Sequence, residues 1–281
     1  MLSSLQSVTD NLHRLVAWLM NRVRVNQIQQ SVQDGLPVFV KRRRAGGSIV
    51  IWFGNRFLAL AQGGIRMFVR AHEWADWEVY CARLLYPHRP AVQVGPGLSV
   101  IVPEISGVSL RQLLRQHEAA VNAFVAAARE LRRAHQIPCN YYQAAWSHGD
   151  LHLDNILYDA AADRAVLIDF DTRHEFRISQ TQRHADDLKV LLLELLGLPD
   201  ERWREPATAL IEEYSEPAVL NELAGQLFVP RGFAKILWHT RTNCSRTPHL
   251  EQRLQGLRAI IERVVTTHST GPGTQLCRDA G

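Results

Sequence analysis

The sequence predicts an α+β protein of two lobes, a small antiparallel sheet early in the chain and a larger helical body after it. Three observations carry this. Between Leu36 and Gly107, β-branched and aromatic runs such as "LPVFV", "IVIWF", "IRMFVR" and "LSVIVP" are punctuated by glycine, proline and serine, the pattern of short strands joined by turns. Beyond residue 109, apolar residues recur mainly at helical spacing. With 281 residues, 46% hydrophobic and 21% charged, the chain is long enough for two lobes around a substantial core.

Taken in order, residues 2–30 place Leu5, Val8, Leu12, Leu15, Leu19 and Val23 three or four apart, flanked by Arg14, Arg22 and Arg24. That stripe predicts a helix docked on the protein's own core, with a basic helix lying on a membrane as the alternative. Residues 36–61 read as a hairpin around Ala45-Gly46-Gly47-Ser48, and 63–70 as a third strand. A helix over 72–87 ends at the prolines 87 and 90, and 97–107 forms another strand. Helices follow at 109–117 and 119–135, then a strand–loop–strand over 145–170, then mainly helix to His268. The tail, rich in turn residues and without periodicity, reads as disordered. The expected organisation is an N-terminal helical extension (1–34), an N-lobe (35–104), a C-lobe (105–268) and a tail (269–281).

The net charge of +4 and a pI near 9.0 suit a phosphate-bearing or membrane-surface partner without demanding one. Cys81, Cys139, Cys244 and Cys277 lie far apart and offer neither a disulfide framework nor a zinc site. The first residues lack a signal-peptide pattern, and no window of 18 apolar residues exists. The expected compartment is the cytoplasm, with peripheral contact at the inner membrane left open. No nucleic-acid partner is expected, and the composition gives no oligomeric state.

The chemistry concentrates in "WSHGDLHLDNILYDAAADRAVLIDFD", Trp146 to Asp171. Carboxylates beside runs such as Ile156-Leu157-Tyr158 and Ala165-Val166-Leu167-Ile168 are costly unless a charge pairs with them. A turn at Ala160–Asp163 folds the two short strands together and returns Asp169 to the neighbourhood of Asn155. An amide oxygen and a carboxylate placed so form a hard site suited to Mg²⁺ with substrate phosphates. Asp150 is then left to accept a proton from an attacking hydroxyl, and base, metal and phosphate donor together are what phosphoryl transfer needs.

"HGDLHLDN" followed by "LIDFD" resembles the catalytic and metal-binding loops of the protein-kinase-like superfamily, H-x-D-x-x-x-x-N and D-F-G. Gly149 in the arginine's place is similar to the aminoglycoside and choline kinase branch. Asp171 at the third position, together with "KRRRAGG", looks most like bacterial lipopolysaccharide kinases acting on Kdo or heptose. The resemblance implies a two-lobed protein-kinase-like fold, ATP and Mg²⁺ as cofactors, Asp150 as base, and Asn155 and Asp169 as metal ligands. His148 would brace the loop around Asp169.

The resemblance also implies a phosphate-binding lysine. Lys41, ending Pro37-Val38-Phe39-Val40, is similar to the V-A-I-K lysine, with Glu78 as its partner and Glu73 as second choice. No G-x-G-x-x-G precedes it, so a different register stays open, in which Arg66 or Arg70 takes that place and Gly46 and Gly47 cover the phosphates. "SVIVPEISG" resembles the hinge between lobes, with Pro103, Glu104 and Ile105 at the adenine. Of Asp186 and Asp187, Asp187 is the choice to bond the catalytic-loop backbone. The implied function is transfer of the ATP γ-phosphate to a hydroxyl of a small molecule or glycolipid, a lipopolysaccharide core sugar foremost. The rivals are a protein serine/threonine kinase, disfavoured by the short stretch after Asp169, and a non-catalytic pseudokinase.

Overall fold

A tight hairpin opens the structure, a computed structural model that describes residues 25–61, 64–116, 121–199, 201–232, 234–235, 238 and 248–269. Strands β1 (Asn26–Gln33) and β2 (Leu36–Arg43) pair antiparallel with Gln33 opposite Leu36, leaving Asp34-Gly35 as a two-residue loop. Both loop residues have positive φ (51° and 78°), the backbone that Asp-Gly tolerates and that matches strand twist. Most of the helical stripe expected over 2–30 lies outside the described residues. Where the two overlap, the helix is corrected: residues 26–33 are strand, so the sheet begins inside the expected extension.

Helix α1 (Gly47–Leu60) brings a second correction, because the sequence predicts a strand there. Its β-prone residues are overridden by a distant anchor. Asn55 donates to the Met67 carbonyl at 2.8 Å and accepts from the Met67 amide at 2.9 Å, mimicking a peptide neighbour for strand β3 (Ile65–Met67). Strand β3 is the third strand expected, yet it pairs with a segment far along the chain, Thr172–His174, and stays out of the first sheet.

Helix α2 (Ala71–Leu85) follows, then strands β4 (Gln93–Gly95) and β5 (Ser99–Pro103). The first sheet runs β1-β2-β5-β4, antiparallel throughout. Next come β6 (Val108–Ser109), α3 (Leu110–Arg115), capped by the Ser109 hydroxyl, and α4 (Val121–Ala134). The small pair β7 (Pro138–Cys139) and β8 (Ala144–Ala145) precedes a 3₁₀ turn at Leu153–Asn155. The expected hairpin forms as β9 (Ile156–Asp159) and β10 (Arg164–Leu167), with β11 (Thr172–His174) returning to β3.

Among the described residues the longer helices that follow are α5 (Gln180–Leu196), α6 (Arg204–Tyr214), α7 (Pro217–Gln226) and α8 (Leu250–Ser269). A capping box between Ser179 and Gln182 starts α5, which is buried along nearly its whole length. The larger apolar core runs from Trp74 and Trp77 of α2 through Phe124 and Leu131 of α4 to Leu188, Leu192, Leu220 and Ile261, and a small separate cluster joins Leu58, Ala61 and Ile65. The architecture is therefore α+β, an antiparallel sheet region followed by a helical part, as the sequence predicts.

Candidate active site

Helix α5 holds the loop His148–Asn155 from beneath. Asp187 and Glu194 lie seven residues apart, two turns on one helix face and about 10 Å along the axis. Asp187, fully buried, accepts the amides of His148 and Gly149 at 2.8 Å each. Glu194 accepts the Leu153 amide at 2.8 Å and an Arg111 guanidinium N–H at 2.5 Å. Two carboxylates thus fix both ends of the loop. Burial works against the Asp187 charge, but His174 and His135, the latter also through a 3.1 Å hydrogen bond, hold it well below the usual carboxylate range.

Gly149 has a physical reason to be glycine. Its φ is 90°, and a Cβ there would lie 3.0 Å from the Thr172 hydroxyl and 3.1 Å from the Arg173 carbonyl carbon. Loop and β11 can approach closely only without a side chain. His148 Nε2 donates to the Ile168 carbonyl at 3.0 Å, and the Ile168 amide donates to the Asn155 carbonyl at 2.9 Å. Ile168 is thereby clasped from both sides just before Asp169, whose φ of 68° is left-handed and costly for a residue with a Cβ.

Lys41 meets Asp169 from the sheet. Its ammonium lies 2.6 Å from Glu78 Oε1 and 2.7 Å from Asp169 Oδ1. Glu78 Oε2 accepts the Phe170 amide at 3.0 Å, so one buried carboxylate ties β2, α2 and the Asp169 turn. Burial alone would lower the Lys41 ammonium, but Asp169 and Glu78 outweigh it and raise it well above the ordinary value. Asp171 accepts from Trp74 Nε1 and Asn26 Nδ2, both at 2.5 Å. Its burial, with Asp169 close by, pushes this carboxyl up to about 7.

Strand register places an apolar roof beside the lysine. Ile28 lies directly opposite Lys41, and Val32 opposite Pro37, so Asn26, Ile28, Gln30 and Val32 share the Lys41 face of the sheet. Ile28 is 59% exposed and Val32 69% exposed, so this face carries open apolar surface beside Lys41. Sequence reasoning missed these residues, although Asp34-Gly35 flanked by the β1 and β2 runs was the signal that finds the hairpin.

Several sequence expectations meet in the structure and others do not. Lys41, Glu78 and Asp169 come together, His148 braces the carbonyl just before Asp169, and Asp187 bonds the loop. Arg66 and Arg70 do not replace Lys41: they are exposed and pair with Glu175 at 2.9 Å and Glu73 at 3.3 Å. Gly46 and Gly47 lose the basis for a phosphate-covering role, since the hairpin around them does not form. Gly46 is the left-handed N-cap of α1, and Gly47 packs against Arg43 and Val25. At the expected hinge, the exposed Glu104 uses its amide on the Pro37 carbonyl at 3.0 Å, and Pro103 has no N–H. The amide of half-buried Ile105 makes no hydrogen bond among the described residues.

Asp150 is not left alone, as the sequence reading has it. One carboxylate oxygen lies 3.0 Å from His152 Nε2, whose other ring nitrogen lies 3.5 Å from Glu194. Burial disfavours the imidazolium, but Asp150 and Glu194 overcome it and raise the His152 pKa to about 10. His152, Glu194 and Arg111 were missed. The signal for the first was its place two residues after Asp150 within the loop.

Magnesium fits the donors on the open side. The Asn155 side-chain N–H donates to the Asp150 carbonyl at 2.9 Å, which turns its amide oxygen away as an acceptor. Asp169 is 35% exposed at its side chain, with one oxygen committed to Lys41. Glu78, Asp169 and Asp171 also offer oxygens within 4.8 Å of one another. Between Glu78 and Asp169, however, the Lys41 ammonium already supplies the cation. Asn155 and Asp169 each keep an oxygen that could serve a hard divalent ion.

No protein-family model and no curated protein matches the chain. Among solved structures it is similar to an ethanolamine kinase of Plasmodium vivax at 12% identity and a TM-score of 0.42, over 90% of this chain and 86% of that one. A likeness that loose assigns no residue a role, and the chemistry of the site stands on its own geometry.

Proposed function

We propose that this protein is an ATP-dependent kinase that transfers the γ-phosphoryl group to a hydroxyl of a small molecule or glycolipid, with a lipopolysaccharide core sugar as the leading acceptor. The observation that carries the reading is the Lys41 ammonium, clamped between Glu78 and Asp169 on the sheet face that also bears Ile28 and Val32. From the helical part, α5 holds the backbone of the loop that carries Asp150.

The residues divide the work as phosphoryl transfer requires. Ile28 and Val32 cover the base, and the Ile105 amide donates to its edge. Lys41 neutralises phosphate oxygens while Glu78 keeps its amine from swinging away. Magnesium, held by Asn155 and Asp169, would supply charge neutralisation on the phosphates. Asp150 orients the acceptor hydroxyl and takes its proton as the new O–P bond forms and the bond from the γ-phosphorus to the bridging oxygen breaks. The electron pair leaves with ADP.

A small acceptor is favoured over a peptide by the segment after Asp169. Residues 170–179 alone separate it from α5, and 172–174 of these are engaged with β3. No room is left there for a peptide platform. The test is Mg-ATP binding in the wild type and in Asp169→Asn. Ligand at a hundred times its Kd stabilises the fold by about 2.7 kcal/mol, a readable rise in Tm. The rise is expected for the wild type with magnesium and is expected to vanish in the variant. An equal response in both overturns the metal assignment. Binding without turnover on any acceptor favours the pseudokinase.

A further inference from the structure

We propose that α1 is an interfacial docking helix that seats this protein on a lipid bilayer carrying anionic headgroups. The helix is amphipathic in an unusual sense. Ile51 and Leu58 are 1% and 4% exposed on its inner side, and the two hydrogen bonds of Asn55 to Met67 lock its rotation. The opposite side is apolar as well. Ile49, Trp52, Phe53 and Leu60 fall at i, i+3, i+4 and i+11, one stripe facing solvent, and are 65%, 46%, 62% and 67% exposed. A contiguous outward stripe of large apolar side chains marks an interaction surface rather than scattered exposure.

Charge selects the partner. No acidic residue occurs from residue 35 to residue 72, while seven cations do: Lys41, Arg42, Arg43, Arg44, Arg56, Arg66 and Arg70. Four have partners inside the fold. Lys41 pairs with Glu78 and Asp169, Arg66 with Glu175, and Arg70 with Glu73. Arg43 donates to the Phe68 carbonyl and lies over the Trp74 ring. The other three, Arg42, Arg44 and Arg56, are exposed and form no ion pair among the described residues. Arg56 sits within the stripe, its guanidinium 5.1 Å from the Trp52 ring centre.

Exposed aromatic and aliphatic side chains with Arg56 among them, and Arg42 and Arg44 shortly before the helix, fit the boundary between acyl chains and anionic headgroups. A protein partner of the apolar stripe alone would leave the cations unexplained. With one free face and about 21 Å of length, α1 lies in the interface plane. No described helix is long and apolar enough to cross a membrane.

The test is co-sedimentation of the full chain, without nucleotide, with phosphatidylcholine vesicles and with mixed phosphatidylcholine–phosphatidylglycerol vesicles. Leaving out nucleotide separates this proposal from the kinase reading. The wild type is expected to bind the mixed vesicles and to be released at about 0.5 M salt, where headgroup attraction is screened. The double variant Trp52→Ser/Phe53→Ser should bind at least about tenfold more weakly, while its thermal unfolding stays cooperative. Absence of wild-type binding to the anionic vesicles overturns the proposal, as does equal binding by a folded double variant. A wild-type dimer in vesicle-free solution that the double variant converts to monomer also overturns it, by assigning the stripe to a second copy.

Discussion

Replacing Lys41 by methionine isolates the clamp, because methionine keeps most of the buried stem and removes only the ammonium. Two effects follow with separate magnitudes. Glu78 is 3% exposed and would lose its cation, and removing one partner of a buried pair costs about 3–5 kcal/mol of stability. Asp169, one-third exposed, adds little to that. In the nucleotide complex, a charge-assisted bond to phosphate is worth about 1.5–3 kcal/mol, and each 1.4 kcal/mol is tenfold. The Kd for Mg-ATP is therefore expected to rise roughly ten- to hundredfold. Calorimetric titration measures it, on protein shown by circular dichroism to be folded, with denaturant unfolding for the stability arm. Arg70→Met, at an exposed pair, serves as the control and should change neither quantity appreciably. Unaltered binding in Lys41→Met, or an equal loss in Arg70→Met, would remove Lys41 from phosphate binding.

Two further perturbations probe the loop. Asp187→Asn exchanges one acceptor for a donor facing the His148 and Gly149 amides, and is expected to cost about 3 kcal/mol in denaturant unfolding. Because the Asp187 carboxyl is depressed in the fold, its stabilisation is present above the unfolded value of about 3.9 and is lost as pH falls below it. The variant should lack this part of the acid sensitivity, and an unchanged acid-unfolding curve counts against the assignment. His152→Ala removes the group beside Asp150 without touching Lys41, so kcat should fall about tenfold while the Kd for Mg-ATP stays within about twofold. A rise in Kd with kcat preserved would place His152 in nucleotide binding instead.

The residues of the site were more legible than the sheet that presents them. His148, Asp150, Asn155 and Asp169 lie within 22 positions, so their proximity follows from one short hairpin. Lys41 and Glu78 were found because lysine is scarce before the loop and because α2 has a clean helical period. Residues 47–60 misled the reading because β-branched and aromatic side chains favour a pleated surface, while the bonds of Asn55 to Met67 that fix the helix are tertiary. Strand β1 was hidden for the opposite reason. "NQIQQSVQ" has two apolar residues in eight, and its Ile28 and Val32 are exposed instead of packed in a core. The pairing of His152 with Glu194 depends on α5 passing beneath the loop, which local spacing does not encode.

Asp150 is the proposed acceptor of the proton from the hydroxyl that receives the γ-phosphoryl group, while other residues of the site bind Mg-ATP. Transfer of radiolabel from γ-labelled ATP to a lipid A–core extract, compared between wild type and Asp150→Asn, tests it most directly. Magnesium-dependent label is expected in the glycolipid fraction for the wild type, and none in generic protein substrates. For Asp150→Asn the expected outcome is loss of transfer with Mg-ATP affinity unchanged. Transfer by Asp150→Asn at the wild-type rate, or labelling of proteins with no response to any sugar or glycolipid, would contradict it.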